Sequence, residues 1–121
     1  MTLLTEGRHA GEFLVSEASG TRARAAVTVV AATDLAPGTV LGRVAGTGVY
    51  TAFNPDAQTG EQTATAILWD ACEANSAGVA AAAIVRDAEV NGAELVWPED
   101  LEAGELTAAR AQLAAVGIIV R

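Results

Sequence analysis

The two side chains of this sequence best suited to nucleophilic chemistry are Cys72 and His9, each the only residue of its type. A cysteine nucleophile is activated by a neighbouring base, and a histidine commonly serves as that base. His9 lies in an N-terminal segment ahead of the first clear turn, so a buried structural cysteine is favoured over a catalytic pair. One cysteine and one histidine also cannot supply the ligands of a structural zinc site. We therefore expect neither thiol catalysis nor zinc.

Carboxylates and glycines could carry other chemistry, but their spacing does not support it. Asp56 and Glu61 are too sparse for a calcium site. The acidic run from Glu99 to Glu105 could hold an acid–base pair, yet it is more typical of a helix start, where carboxylates complement the positive end. The turn Gly46-Thr47-Gly48 lacks the third glycine of a dinucleotide loop, and the absence of lysine excludes a phosphate-loop lysine and a Schiff base. We expect no catalytic residue, metal or cofactor.

The two tryptophans could serve either in sugar binding or as packing anchors. Trp69 and Trp97 could form a platform for sugar rings, so a small β-barrel carbohydrate-binding or accessory module is the alternative function. Trp97 is followed by Pro98, and a large aromatic beside a rigid proline is typical of an anchor. That anchor can lie in the core of one subunit or in a contact between subunits.

Charge and length exclude several classes of partner. The chain carries a formal net charge of -8, and its arginines form no basic stripe, so we expect no nucleic-acid partner. No apolar stretch approaches the roughly 20 residues of a membrane span, so we expect no membrane partner. A single cysteine permits no intrachain disulfide, which is typical of the reducing cytoplasm. The 121 residues suffice for one domain.

The elements that must position these residues are mostly strands. Turn signals between Ala31 and Gly78 divide the chain into short segments rich in β-branched residues, and Ala36-Pro37-Gly38 suits a type II turn. The segments predicted as strands are 26–30, 40–44, 49–53, 63–69 and 79–86, separated by a surface loop at 54–62.

The C-terminal part changes to helical periodicity. Leu106, Ala109, Leu113 and Val116 recur at helical spacing, which predicts a helix that starts near Ala103. Gly117 suits the left-handed residue that ends a helix, and 118–120 form a closing strand against an earlier edge. The predicted fold is mostly β with one short C-terminal α-helix (α+β), a compact, small, β-barrel-like domain.

Five stretches together resemble the head decoration proteins of tailed phages, the family of the lambda head-stabilising type. They are "EGRHAGEFLVSEASGTRARAAVTV", "LAPGTVLGRV", "GVYTAFNP", "LVWPED" and "QLAAVGIIVR", in the family's order from about Glu6 to Arg121. The resemblance implies a structural protein that forms homotrimers on the outside of the expanded head at threefold and quasi-threefold sites. Its partner would be the phage major capsid protein, and it would be made in the host bacterial cytoplasm and reside in the virion.

The resemblance also implies a role for the N-terminal segment. In the family this segment becomes ordered on the shell as an added strand, so we predict residues 1–20 as an extended capsid-binding arm and 21–121 as a single β-rich domain. The predicted capsid contacts are Leu3, Leu4, Thr5, Phe13, Leu14 and Val15. The alternative is that Phe13 and Leu14 pack on their own core. Trp97 and Pro98 are the predicted trimer contact.

Overall fold

The computed structural model describes residues 9–18 and 22–121. Within these residues the chain forms strands, one α-helix and a short 3-10 turn at Gly92–Glu94. The elements are β1 (Leu14–Glu17), β2 (Arg24–Ala31), β3 (Val40–Arg43), β4 (Tyr50–Ala52), β5 (Ala64–Leu68), β6 (Asn75–Ile84), β7 (Ala88–Val90), α1 (Ala103–Ala115) and β8 (Ile118–Val120). No helix in 9–18 or 22–121 is long and apolar enough to cross a membrane.

Five strands close into a barrel in the order β2-β4-β3-β5-β6. All neighbours pair antiparallel except β2 and β4, which meet in parallel at Val29 and Tyr50. Alternate residues of the strands point inward, and small side chains such as Ala66 and Ala83 fill a narrow interior together with Leu41 and Leu68. The barrel is therefore a packed core.

A second core lies outside the barrel, because β3, β5 and the last two residues of β6 are buried on both faces. Val40, Ile67 and Ile84 point away from the barrel interior and pack beneath α1 and a second sheet. That sheet has the order β1-β7-β8, with β1 antiparallel and β8 parallel to β7. It contributes Val90 and Ile118 to this second core.

The helix is fixed to the barrel and to the small sheet. Ala109 and Leu113 are fully buried, and the Gln112 side-chain oxygen accepts a 2.8 Å hydrogen bond from the Ala64 N–H of β5. The Glu105 carboxylate accepts from the Glu102 N–H at 3.1 Å and so caps the first turn. Gly117, with φ 88°, ends the helix and lets the chain return into β8.

The fold class predicted from the sequence is confirmed: a mostly β domain with a five-stranded barrel and one C-terminal helix. Two local details differ. Strand β6 begins before Gly78, which has φ 93° inside the strand, where a Cβ would come within 2.7 Å of the Thr28 methyl carbon. Val116, predicted on the apolar helix face, follows the last helical residue and is exposed.

The N-terminal segment also differs from an extended arm that reaches residue 20. Residues 14–17 form β1, which pairs with β7, and Phe13 belongs to the second core. Phe13 lies in the core because removing its large apolar ring from water is favourable. The folded body of the described chain therefore includes residues that the sequence assigned to the arm.

Candidate functional site

The site begins where the N-terminal segment joins the folded body. The Gly11 N–H donates to the Trp69 carbonyl at 2.9 Å, and the Leu14 N–H donates to the Gly11 carbonyl at 3.0 Å. Downstream, the Phe13 carbonyl accepts from the Asn91 N–H at 2.8 Å. These backbone bonds hold residues 11–14 against the folded body. We call residues 9–13 with Trp69 the arm root.

Only glycine suits position 11 of the arm root. Gly11 has φ 67°, in the left-handed region, and a Cβ there would lie 2.3 Å from the Cη2 atom of Trp69. The backbone of the arm root therefore lies directly against the indole ring. This close approach holds the segment at the side of the barrel where β5 ends.

Replacing Gly11 with alanine is expected to lower the free energy of unfolding by about 2 kcal/mol, because left-handed backbone disfavours a side chain and the methyl group displaces Trp69. Urea unfolding measures the change. Gly104→Ala is the matched control: a Cβ at Gly104 meets nothing within 4 Å, and alanine in a helix should gain about 0.5–1 kcal/mol. A Gly11→Ala variant as stable as the parent would contradict the packing of the arm root on Trp69.

The Phe13 side chain is 2% exposed and packs edge-on against Trp69, with ring centroids 6.0 Å apart and an interplanar angle of 77°. Phe13 therefore packs on the core of its own chain, which was the alternative to its predicted capsid contact. Because the ring is buried, it could contact a capsid subunit only if it first left this core. Leu14 is half-buried, whereas Val15 is exposed. The predicted contacts Leu3, Leu4 and Thr5 lie outside the described residues.

Arg24 and Glu17 complete the surroundings of the indole ring. The Arg24 guanidinium carbon lies 3.8 Å from the Trp69 ring centroid, and Arg24 donates to both Glu17 carboxylate oxygens at 2.6 and 3.0 Å. The hydrogen bond to Glu17 raises the pKa of Arg24, so the guanidinium stays charged. The pair ties β1 to β2 beside the arm root. Sequence reasoning missed this cluster, since no local motif connects Arg24 with Trp69.

The groups that pack on Trp69 decide whether its ring can bind a sugar, as the alternative carbohydrate-binding function requires. A sugar platform needs an open aromatic face. In the structure, Gly11, Phe13 and the Arg24 guanidinium all lie against this ring. Because the Arg24 guanidinium lies over the ring, Trp69 is a poor platform for a sugar in this structure.

Trp97 and Pro98 lie on another part of the surface, between the 3-10 turn and α1, just after Val96 forms a bridge with Thr39 ahead of β3. The Val96 carbonyl accepts from the Val40 N–H at 3.1 Å, and the Val96 N–H donates to Gly38 at 2.9 Å. Trp97 packs against the second core and is half-buried, as is Pro98. Both interpretations of this anchor, core packing and subunit contact, are compatible with a ring that is partly covered and partly open.

The groups considered for catalysis are dispersed. Cys72 is buried at the end of the barrel, where desolvation, together with the charges of Glu73 and Asp34, raises the pKa of its thiol. A raised pKa disfavours the thiolate that a nucleophile needs. Across 9–18 and 22–121, no three His, Cys, Asp or Glu side chains form a group that could hold a metal ion.

Comparison with known families identifies a match over most of the chain. The family model described as bacteriophage lambda head decoration protein D matches residues 3–118. A comparison with curated proteins gives no match. The family match spans the arm residues, the barrel, the helix and the first residue of β8.

Proposed function

The chain belongs to the bacteriophage lambda head decoration protein D family, and on that premise we propose that it cements the expanded head of a tailed phage. It binds as homotrimers to the outer surface at threefold and quasi-threefold sites, with the major capsid protein as its partner. The trimers brace the shell against the pressure of packaged DNA, and the role needs no catalytic step. The protein is made in the host cytoplasm and resides in the virion. The family match over residues 3–118 carries this proposal.

The arm supplies the principal contact in this proposal. Leu3, Leu4 and Thr5 pair with a capsid subunit as an added strand, in which backbone bonds give affinity and alternate side chains give specificity. A chain extends at most about 3.4 Å per residue, so Leu3 reaches no further than roughly 27 Å from Gly11. The shell surface that the arm binds therefore lies close to the arm root.

Three arms acting together explain how a short segment can hold a trimer on the head. Each arm loses conformational freedom on binding, which makes a single arm weak. Once one arm of a trimer is bound, the other two are held near their sites at a high effective concentration. Strong attachment therefore depends on the trimer, and we propose Trp97 and Pro98 as one of its contacts.

Co-sedimentation with expanded heads that lack this protein tests the proposal. We expect saturable binding of the full chain to expanded heads, with little binding to unexpanded precursor heads. Capsids of an unrelated phage are the control for adhesion to any protein shell. Absence of binding to expanded heads, or equal binding to the unrelated capsids, would overturn the proposal.

A further inference from the structure

The arm root lies beside a surface that the proposed arm does not use: the outer face of the β1-β7-β8 sheet. Val90 and Ala88 of β7 point into the second core, so Glu89 between them points outward. Glu89 pairs with Ser16 on one side and Ile119 on the other. The sheet thus has one face covered by the core and one open face. We call the open face the outer sheet face.

Exposed aliphatic side chains flank a charged centre on the outer sheet face. Val15, at the bulge in β1, is 56% exposed, and Ile119 of β8 is 42% exposed. Between them Glu89 accepts from Arg121 at 3.0 and 3.3 Å. The hydrogen bond from Arg121 and its positive charge lower the pKa of Glu89, so this pair stays charged at neutral pH. Protein interfaces are enriched in arginine, and their buried centres are more apolar than the rest of the surface.

Charge is distributed unequally between this sheet and the rest of the molecule. Five of the six described arginines bond at the sheet or at the entry to β2. Arg22 pairs with Asp87, Arg24 with Glu17 and Arg121 with Glu89, while Arg86 and Arg110 donate to the carbonyls of Arg22 and Val120. The remaining described arginine, Arg43, lies at the exposed end of β3 in the barrel. Five arginines thus gather at the sheet end with three carboxylates paired to them, and Arg86 and Arg110 bond to carbonyl oxygens, so this end is the part of a strongly acidic protein best suited to an acidic partner.

We infer that the outer sheet face is a second contact surface for the head and takes an acidic, partly apolar patch of a capsid subunit. The inference rests on the proposed function. Its support is the continuity of β1 with the arm root, the short reach from Gly11 to Leu3, and the arginines that gather at this end. A bound arm brings this end of the body to the shell, where Val15 and Ile119 can be covered.

Two matched pairs of substitutions in the full chain test the inference in the co-sedimentation assay. Ile119→Asp should weaken binding to expanded heads by about tenfold or more, because an apolar anchor becomes a charge. Val79→Asp is its control on β6 of the barrel, with 41% exposure against 42% for Ile119, and should change binding by less than about twofold.

The second pair of substitutions reverses one arginine charge at the sheet end and one on the barrel. Arg86→Glu at the sheet end should weaken binding by roughly fivefold at low salt and reduce its salt dependence. Arg43→Glu, on the exposed end of β3, makes the same change in net charge and should have little effect. Urea unfolding of all four variants confirms that each is folded.

The outcomes separate this inference from the proposed function. If the full chain fails to bind heads, the proposed function fails and the inference with it. If the full chain binds but the sheet variants equal their barrel controls, the outer sheet face is not a head contact, and the proposed function stands. If Ile119→Asp instead weakens trimer formation in solution, while the trimers that still form at high protein concentration bind heads like the parent, the face lies between copies and the inference is overturned.

Discussion

Replacing Phe13 with alanine lowers the free energy of unfolding by about 3–4 kcal/mol, the largest change in stability that we expect. Phe13 is 2% exposed, so its removal leaves a cavity in the second core. The edge-on contact with Trp69 is lost as well. Many domains are stable by only about 5–15 kcal/mol, so this is a large fraction of the total. Urea or thermal unfolding measures the effect.

Val15→Ala is the matched control, two residues further along the same segment. Because Val15 is exposed, its truncation should change the free energy of unfolding by no more than about 0.5 kcal/mol. A loss below about 1 kcal/mol for Phe13→Ala would mean that residues 9–18 contribute little to the folded body in solution. The arm would then extend further along the chain, as the sequence alone predicted.

Removing residues 1–8 is expected to weaken binding to expanded heads by about 100-fold or more, with almost no change in stability. The variant begins at His9 and keeps Gly11 and Phe13, so the arm root can still pack on Trp69. Each trimer loses three linked contacts at once, and linked contacts of this kind multiply affinity by about 10²–10⁴. Co-sedimentation measures the binding, and urea unfolding measures the stability.

A full-length control distinguishes the contribution of the arm's apolar side chains to head binding from that of its backbone. Leu3→Ser with Leu4→Ser keeps the length of the chain and its backbone groups but removes the apolar contacts. We expect binding intermediate between the parent chain and the chain that begins at His9. If the shortened chain binds as tightly as the full chain, the folded body alone makes the contact and the proposed role of Leu3, Leu4 and Thr5 is wrong.

The barrel strands were predictable because their signals are local. Pro37 and Gly38 form a turn by their own backbone preferences, and the alternation before Trp69 is visible within one segment. The helix was predictable for the same reason, since Ala109 and Leu113 recur at helical spacing. These signals do not depend on which strands pair.

The arm root could not be predicted in this way. An apolar patch such as Phe13-Leu14-Val15 has the same local pattern whether it packs on its own core or on a partner. The choice depends on Trp69 and Arg24, which the chain brings beside it only after the barrel closes. The short strand β7 was missed because three residues contain too little periodicity, and its neighbours β1 and β8 come from opposite ends of the chain.

A cryo-electron microscopy reconstruction of expanded heads saturated with the full chain is the most direct test of the central claim. We predict density for three copies at each threefold and quasi-threefold site, with the arm root and the outer sheet face towards the shell and Leu3 to Thr5 added to a capsid sheet. Trp97 and Pro98 are expected at the boundary between copies. Single copies at other positions, or a barrel turned so that the arm root points away from the shell, would contradict the proposed role.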